Sequence, residues 1–76
     1  MNVNQDKIDE TALAILLLTL HEEKRVWKGM DWGVLDRLHE KGYLSDPKNK
    51  SKSVMLSENG LKKAEEVFEE LFRNKD

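Results

Sequence analysis

A glycine at position 42 separates a helical part of the sequence from an extended part. Upstream of it, residues 31–41 carry apolar side chains on one helical face, and Asp31 can cap the first turn. A glycine can adopt the left-handed conformation just beyond a helix, where it would return Tyr43 against Leu38 in a Schellman motif. We therefore predict a helix over residues 31–41 that stops at Gly42 and leads into a β-hairpin.

The predicted hairpin spans residues 43–56. Two short strands, residues 43–46 and 53–56, flank six polar residues that begin with a rigid proline. Ser57 can then cap a third helix, which we predict over residues 57–73. Apolar side chains recur along this helix at spacings of three and four, with lysine and glutamate on the opposite face. These apolar residues are Leu61, Ala64, Val67, Phe68, Leu71 and Phe72.

A first helix is predicted over residues 6–23. Asp6 can cap it, and Asp9 and Glu10 complement the positive end of its dipole. All of residues 12–18 are apolar, so the stripe is wider than a surface helix requires. Either this helix lies centrally with neighbours on two sides, which we favour, or part of it contacts another subunit.

The order of residues around Gly42 resembles the recognition helix, wing and following helix of bacterial winged-helix regulators. The matching residues are Leu35, Leu38, Gly42, Tyr43 and Leu44, followed by Leu56, Ser57, Gly60 and Leu61. This resemblance implies an α+β, winged-helix-like domain with three helices and a two-stranded β-hairpin between helices 2 and 3. The chain departs from such regulators because only residues 24–30 precede the second helix, where a regulator has a separate helix that crosses the DNA backbone.

A second resemblance covers nearly the whole chain. Residues 35–42, residues 52–54 and the run Trp27-Lys28-Gly29-Met30-Asp31-Trp32 are similar to the sequences of a family of small uncharacterised bacterial proteins. This resemblance implies that the chain shares the fold of that family. It implies no particular biochemical activity, so the function has to be inferred from the residues themselves.

The length of 76 residues suits one hydrophobic core, and we predict a single domain over residues 1–76. The chain contains no cysteine, which excludes disulfides and thiolate metal sites and fits the reducing cytoplasm. The acidic start differs from a secretory signal. The uncharged residues 11–20 make up about half of the roughly 20 residues that a bilayer span requires. We expect a cytoplasmic protein without a membrane span.

The formal net charge of -2 conceals a basic middle between two acidic ends. Residues 25–53 hold seven basic and four acidic residues. The candidate nucleic-acid contacts, which could bind phosphates, are Arg25, Lys28, Arg37, Lys48, Lys50 and Lys52. We favour the alternative that the loop lysines only keep the hairpin solvated. The reason is that Asp36 and Glu40, on the outer face of the second helix, would oppose phosphates.

Trp27 and Trp32 form a candidate interaction patch, because tryptophan is frequent at binding hot spots and the turn between them could bring both together. Trp27 lies in a connector, residues 24–30, that could form a brief extended segment. In so small a protein we favour the alternative that both indoles seal the core around this connector. Arg25 or Lys28 could also stack on an indole ring.

His21 and His39 lack partners at metal-binding spacing, so we predict no metal site. No serine has a recognisable histidine partner, and no glycine-rich loop opens a helix in the manner of a phosphate site. We therefore predict a protein that is not an enzyme. It is expected to have no catalytic residues, no cofactor and no small-molecule substrate.

The predicted function is that of a macromolecular interaction module. Its partner would be another protein or a second copy of the chain, and the wide apolar surface of the first helix motivates this prediction. Self-association through the first or last helix would give a homodimer. The alternative, which we do not favour, is a DNA-binding module that uses the basic wing and the second helix.

Overall fold

The computed structural model describes residues 3–73, which form three helices and a small antiparallel sheet. In chain order the elements are α1 (Gln5–Leu16), a 3-10 turn (Leu17–Thr19), β1 (Arg25–Trp27), α2 (Trp32–Glu40), β2 (Ser53–Met55) and α3 (Glu58–Phe72). An antiparallel hairpin connects the second and third helices, so the predicted α+β class with this order of elements is confirmed. Residues 1–2 and 74–76 of the predicted domain lie outside the described residues.

Gly42 ends α2 as predicted. Its φ of +81° lies in the left-handed region that glycine adopts without steric cost. The Gly42 N–H donates to the carbonyl of His39 at 2.9 Å, and the Tyr43 N–H donates to that of Leu38 at 3.0 Å. These are the two hydrogen bonds of a Schellman motif. At the other end, Asp31 caps two backbone N–H groups of the first turn, so both predicted ends of α2 are confirmed.

β2 lies at the centre of the β-structure, with a partner on each side. On one side it pairs antiparallel with β1, with Val26 opposite Val54 in the middle of the register. This confirms that the connector after the first helix contains an extended segment. On the other side, Leu44 forms a single antiparallel bridge with Leu56, which closes the predicted hairpin.

The first strand of the hairpin is shorter than the predicted residues 43–46. The Ser45 N–H donates to the carbonyl of Met55 at 2.9 Å, but the Met55 N–H donates to the hydroxyl of Ser45 at 2.9 Å. A side chain thus replaces a backbone carbonyl as the acceptor, which interrupts the ladder after one bridge. The regular ladder of β2 is the one it forms with β1.

The first helix is shorter than the predicted residues 6–23. Asn4, rather than Asp6, caps its first turn by accepting a hydrogen bond from the backbone. The 3-10 turn follows α1 directly, and the rest of the predicted helix forms a tight reversal that pairs His21 with Arg25. This reversal brings β1 back over the core, and a continuous helix would prevent it.

The reversal contains an unusual backbone conformation. Glu22 and Glu23 have φ values of 46° and 70°, in the left-handed region that glycine favours over residues with a Cβ. Two consecutive residues of this kind match the twist of a tight antiparallel turn. The chain therefore accepts local strain here in order to place β1 beside β2.

The core collects apolar side chains from all three helices and both strands. α1 packs against both α2 and α3, which confirms its predicted central position. The largest contributions to the core come from Leu13, Val26, Leu35, Leu38, Val54 and Leu56. Three apolar side chains of the first helix region are exposed instead: Ile8 in α1, Leu18 in the 3-10 turn and Leu20 directly after it. Among the helices of residues 3–73, none combines the length and apolar character that crossing a membrane requires.

The start of α3 packs tightly against the hairpin. Ser57 is the predicted cap: its hydroxyl accepts from the Gly60 N–H at 2.9 Å and donates to the carbonyl of Gly42. Gly60 lies so close to the backbone of Tyr43 that a Cβ at this position would collide with the Tyr43 carbonyl. The third helix therefore fixes the backbone of the hairpin directly behind the Schellman turn.

Candidate interaction surfaces

A buried carboxylate holds α1 against α2. Asp9 has no exposed surface, and it accepts hydrogen bonds from Arg37 Nε at 2.8 Å and from Arg37 Nη2 at 2.9 Å. Lys41 Nζ donates to the same carboxylate at 3.2 Å and to Asp6 at 3.0 Å. Arg37 of α2 and Lys41, the residue directly after α2, thus bind one buried anion from α1, which compensates its loss of hydration.

Asp9 forms a charge cluster with Arg37 and Lys41, and the opposite charges of this cluster stabilise one another. The hydrogen bonds from Arg37 lower the pKa of Asp9 against the opposing effect of burial, and Lys41 lowers it further. Burial lowers the pKa of Lys41, but hydrogen bonds to Asp6 and Asp9 outweigh that effect and leave the pKa raised. The hydrogen bonds to Asp9 also raise the pKa of Arg37. Asp9, Arg37 and Lys41 are therefore all charged at neutral pH, and their contacts link the two helices.

Arg37 was a candidate nucleic-acid contact, and the structure places its guanidinium on Asp9. About a third of the Arg37 side chain, 32%, remains accessible. Asp36 is half-buried and Glu40 is exposed on the same helix. α2 therefore presents charges of both signs to solvent.

The candidate lysines of the hairpin lie on a loop with a defined backbone. Asp46 accepts a hydrogen bond from a backbone N–H two residues on, at 2.9 Å, and Asn49 does the same at 2.8 Å. Pro47 is fully buried and anchors the loop to the rest of the domain. The exposed lysines of this loop are Lys48, Lys50 and Lys52.

The outer face of the sheet brings a cation beside an aromatic ring. Arg25 and Trp27 flank the buried Val26 in β1, and alternate residues of a strand face opposite sides. Arg25 donates across the sheet to the hydroxyl of Ser53 at 3.2 Å and contacts Glu22 at 3.3 Å. A shallow depression of about 580 Å³ on this face is lined by His21, Glu22, Arg25, Trp27, Ser51, Lys52 and Ser53.

Both tryptophans lie at the surface, so the prediction that they seal the core is wrong. Trp27 is 48% exposed and Trp32 is 58% exposed. Val26 takes the inward position in β1, which turns Trp27 outward, where it stacks on His21 with ring centroids 4.4 Å apart. Lys28 Nζ lies 5.9 Å from the centre of the Trp32 ring, within the range of a cation–π contact.

Lys28 connects Trp32 with the hairpin loop. Its Nζ donates to the backbone and side-chain oxygens of Asn49, both at 2.9 Å, and its backbone N–H donates to the carbonyl of Lys52 at 3.0 Å. Arg25, Trp27 and Lys52 line the depression, and Lys28 lies between the Trp32 ring and the loop that leads to Lys52. We call these residues the indole–cation surface: Arg25, Trp27, Lys28, Trp32 and Lys52.

The two histidines are held by backbone carbonyls. His21 Nδ1 lies 2.8 Å from the carbonyl oxygen of Thr19, and His39 Nδ1 lies 2.8 Å from that of Leu44. Within residues 3–73, no three histidine, aspartate or glutamate side chains are grouped so that they could hold one metal ion. The structure thus places the two histidines separately, each beside its own carbonyl partner.

A second exposed surface lies where the 3-10 turn meets α3. An apolar groove of about 280 Å³ is lined by Leu17, Leu18, Leu20, Leu61, Glu65 and Phe68. Leu18 is 70% exposed. Phe72, 44% exposed, packs edge to face on Phe68 with ring centroids 5.2 Å apart. We call this region the apolar groove.

The role of Asp9 was not predicted from the sequence. Asp9 was expected to complement the helix dipole. It precedes the buried Leu13 and Leu16 by four and seven positions, however, and therefore lies in the buried stripe. An acidic residue within such a stripe indicates a buried cationic partner. Met55 was not predicted as a surface residue either, although it is 44% exposed opposite Arg25 on the outer face of the sheet.

Together, these elements and their core define a small α+β domain. The family model described as "Domain of unknown function (DUF6429)" matches residues 4–74, and the chain belongs to this family. Over 72 residues it is 54% identical to "Uncharacterized protein y4hR" of Sinorhizobium fredii, an alignment that covers 95% of this chain and 97% of that protein. The predicted resemblance to an uncharacterised bacterial family is thus confirmed. No solved structure matches the chain significantly.

Proposed function

We propose that this protein is a non-enzymatic, winged-helix-like interaction module that pairs with a second copy of itself through the apolar groove. The observation that supports this most directly is the exposure of Leu18, which is 70% accessible at the groove. Contiguous exposed apolar surface on a small domain is typical of interaction sites. A second copy of the chain that covered this surface would remove its apolar side chains from water, which favours association.

The groove and its surroundings offer both halves of a self-complementary contact. Leu17 and Phe68 line the groove and are half-buried, whereas Leu18, which also lines it, and Phe72, which packs on Phe68, are exposed. A two-fold axis through this region would let the exposed side chains of each copy enter the groove of the other. The same patch then serves both partners, which is the usual geometry of a homodimer.

Sedimentation velocity over a wide range of protein concentrations tests the proposal. We expect the sedimentation coefficient of the wild type to rise with concentration, because the dimer forms by mass action. Leu18→Glu places a charge at the apolar contact and should leave a monomer at all concentrations. Met55→Glu is the matched control, since Met55 is also exposed but lies on the outer face of the sheet.

Two results would contradict the proposal. The first is a wild-type protein that remains monomeric at the highest concentration. The second is a dimer that survives Leu18→Glu, or one that Met55→Glu disrupts equally, because either result would place the contact elsewhere. Circular dichroism of each variant shows that the fold is retained.

The alternative function is duplex DNA binding by the basic wing and α2. The loop lysines support it, whereas the commitment of Arg37 to Asp9 and the position of Glu40 on α2 weaken it. A mobility-shift assay with mixed duplex DNA at low and moderate salt separates the two functions. Binding that weakens with salt and maps to Lys48 and Lys50 would favour this alternative.

A further inference from the structure

The indole–cation surface combines flat aromatic rings with positive charge. Trp27 and Trp32 are the only tryptophans of the chain, and about half of each is accessible. Exposing an indole forfeits much of the stabilisation that its burial would contribute to a small core. Two exposed indoles beside Arg25, Lys28 and Lys52 therefore indicate a ligand that offers both flat rings and negative charge.

Three side chains of this surface are held in place before any ligand binds. The Trp27 ring stacks on His21, and the Lys28 ammonium is fixed by two oxygens of Asn49. Arg25 is tied across the sheet to Ser53. Such contacts reduce the conformational entropy that ordering these side chains on a ligand would cost.

The local charge favours an anion. Arg25 and Lys52 line the depression on the sheet together with one acidic residue, Glu22, which contacts Arg25 at 3.3 Å. Lys48 and Lys50 lie on the adjoining loop. Phosphates spaced along a chain could therefore contact several cations in succession. The Glu22 carboxylate would repel a phosphate that bound near Arg25.

We propose that the indole–cation surface binds single-stranded nucleic acid, with bases stacked on Trp27 and Trp32 and phosphates on Arg25, Lys28 and Lys52. Proteins that bind single strands combine aromatic platforms with a positively charged path in this way. A duplex hides the faces of its bases within the stack, so it could engage the cations of this surface but not the indoles. This activity is separate from the proposed pairing through the apolar groove.

Intrinsic fluorescence provides a direct test, because both tryptophans belong to the surface. The full chain is titrated at low ionic strength with an oligothymidylate of about 12 nucleotides. Stacking of bases should quench the indole emission in a saturable manner. Oligouridylate of the same length shows whether RNA binds as well as DNA, and duplex DNA and heparin serve as ligands that supply charge without accessible base faces.

Three variants separate stacking from charge. Trp27→Leu should weaken binding by about five-fold or more while keeping an apolar side chain. Lys52→Ala should weaken binding and reduce the salt dependence, whereas the exposed Lys62 of α3 supplies the matched control Lys62→Ala. Glu22→Gln should strengthen binding, because it removes the carboxylate that competes with phosphate for Arg25.

Several outcomes would overturn the proposal. One is the absence of quenching and binding with both oligonucleotides at low ionic strength. Another is binding of heparin or duplex DNA as tight as that of the single strands, which would show charge attraction alone. Equal weakening by Lys52→Ala and Lys62→Ala would place the contact elsewhere. The monomeric variant Leu18→Glu should bind as the wild type does, which keeps this test independent of self-association.

Discussion

Replacing Asp9 with asparagine removes the negative charge at the centre of the cluster that joins α1 to α2 and preserves the shape of the side chain. A neutral amide then replaces the carboxylate that accepts two hydrogen bonds from Arg37 and one from Lys41. The amide offers one oxygen as an acceptor where the carboxylate offers two. At least one of these donors therefore loses its partner on Asp9.

The expected loss of stability follows from the burial of this group. Removing one member of a buried ion pair costs about 3–5 kcal/mol. The Arg37 and Lys41 side chains remain 32% and 31% accessible, so water can solvate them and reduce this cost. We expect Asp9→Asn to lower the free energy of unfolding by about 2–3 kcal/mol. That is a large share of the total, roughly 4–11 kcal/mol, expected for a domain of this length.

Urea denaturation followed by circular dichroism at neutral pH measures the loss. The matched control is Glu69→Gln, which removes an exposed acid that contacts Arg73 at 3.8 Å. We expect this control to change the free energy of unfolding by less than about 0.5 kcal/mol. A loss for Asp9→Asn no larger than that of the control would refute the structural role assigned to the cluster.

Asp9→Asn should also change how the free energy of unfolding depends on pH. The pKa of Asp9 in the folded state lies below its ordinary value of 3.8, so the charged cluster stabilises the fold above about pH 4. This stabilisation is lost as the pH falls through the folded-state pKa. The difference between the wild type and Asp9→Asn should therefore stay constant down to about pH 5 and shrink below about pH 4. A difference that grows on acidification would contradict this sign.

Two further variants test the backbone of the fold by thermal unfolding. Gly60→Ala should destabilise the domain by about 1–3 kcal/mol despite the better helix propensity of alanine, because the added methyl group meets the Tyr43 carbonyl. An unchanged melting temperature would contradict that close approach. Glu23→Gly should stabilise it by about 0.5–1 kcal/mol, because glycine tolerates the φ of 70°. The control Glu66→Gly, within α3, should destabilise it.

The local features of the fold were predictable because they depend on neighbouring residues. Asp31 and Ser57 cap the second and third helices as predicted, and Gly42 forms the predicted Schellman motif. Each of these features needs only a side chain and a backbone group within a few positions along the chain. A single sequence therefore carries the information that specifies them.

The exposure of the tryptophans was not predictable in the same way. Trp27 and Val26 are both apolar neighbours in a short strand, and the sequence does not say which of them faces the core. The pairing of Val26 with Val54 makes that choice, because it fixes which side of β1 faces inward. Trp27 is then exposed beside Arg25 and Lys52, so the candidate interaction patch could be recognised as a surface only from the fold.

By itself, the sequence determined the α+β class, the order of the elements, both ends of the second helix and the start of the third. Only the tertiary structure decided that β1 pairs with β2, that the first helix stops early, and that Asp9 is buried with Arg37 and Lys41. The physical reason is the range of the interactions. Caps and turns are satisfied within a few residues, whereas strand partners and buried charges are selected by contacts between segments that are distant in the chain.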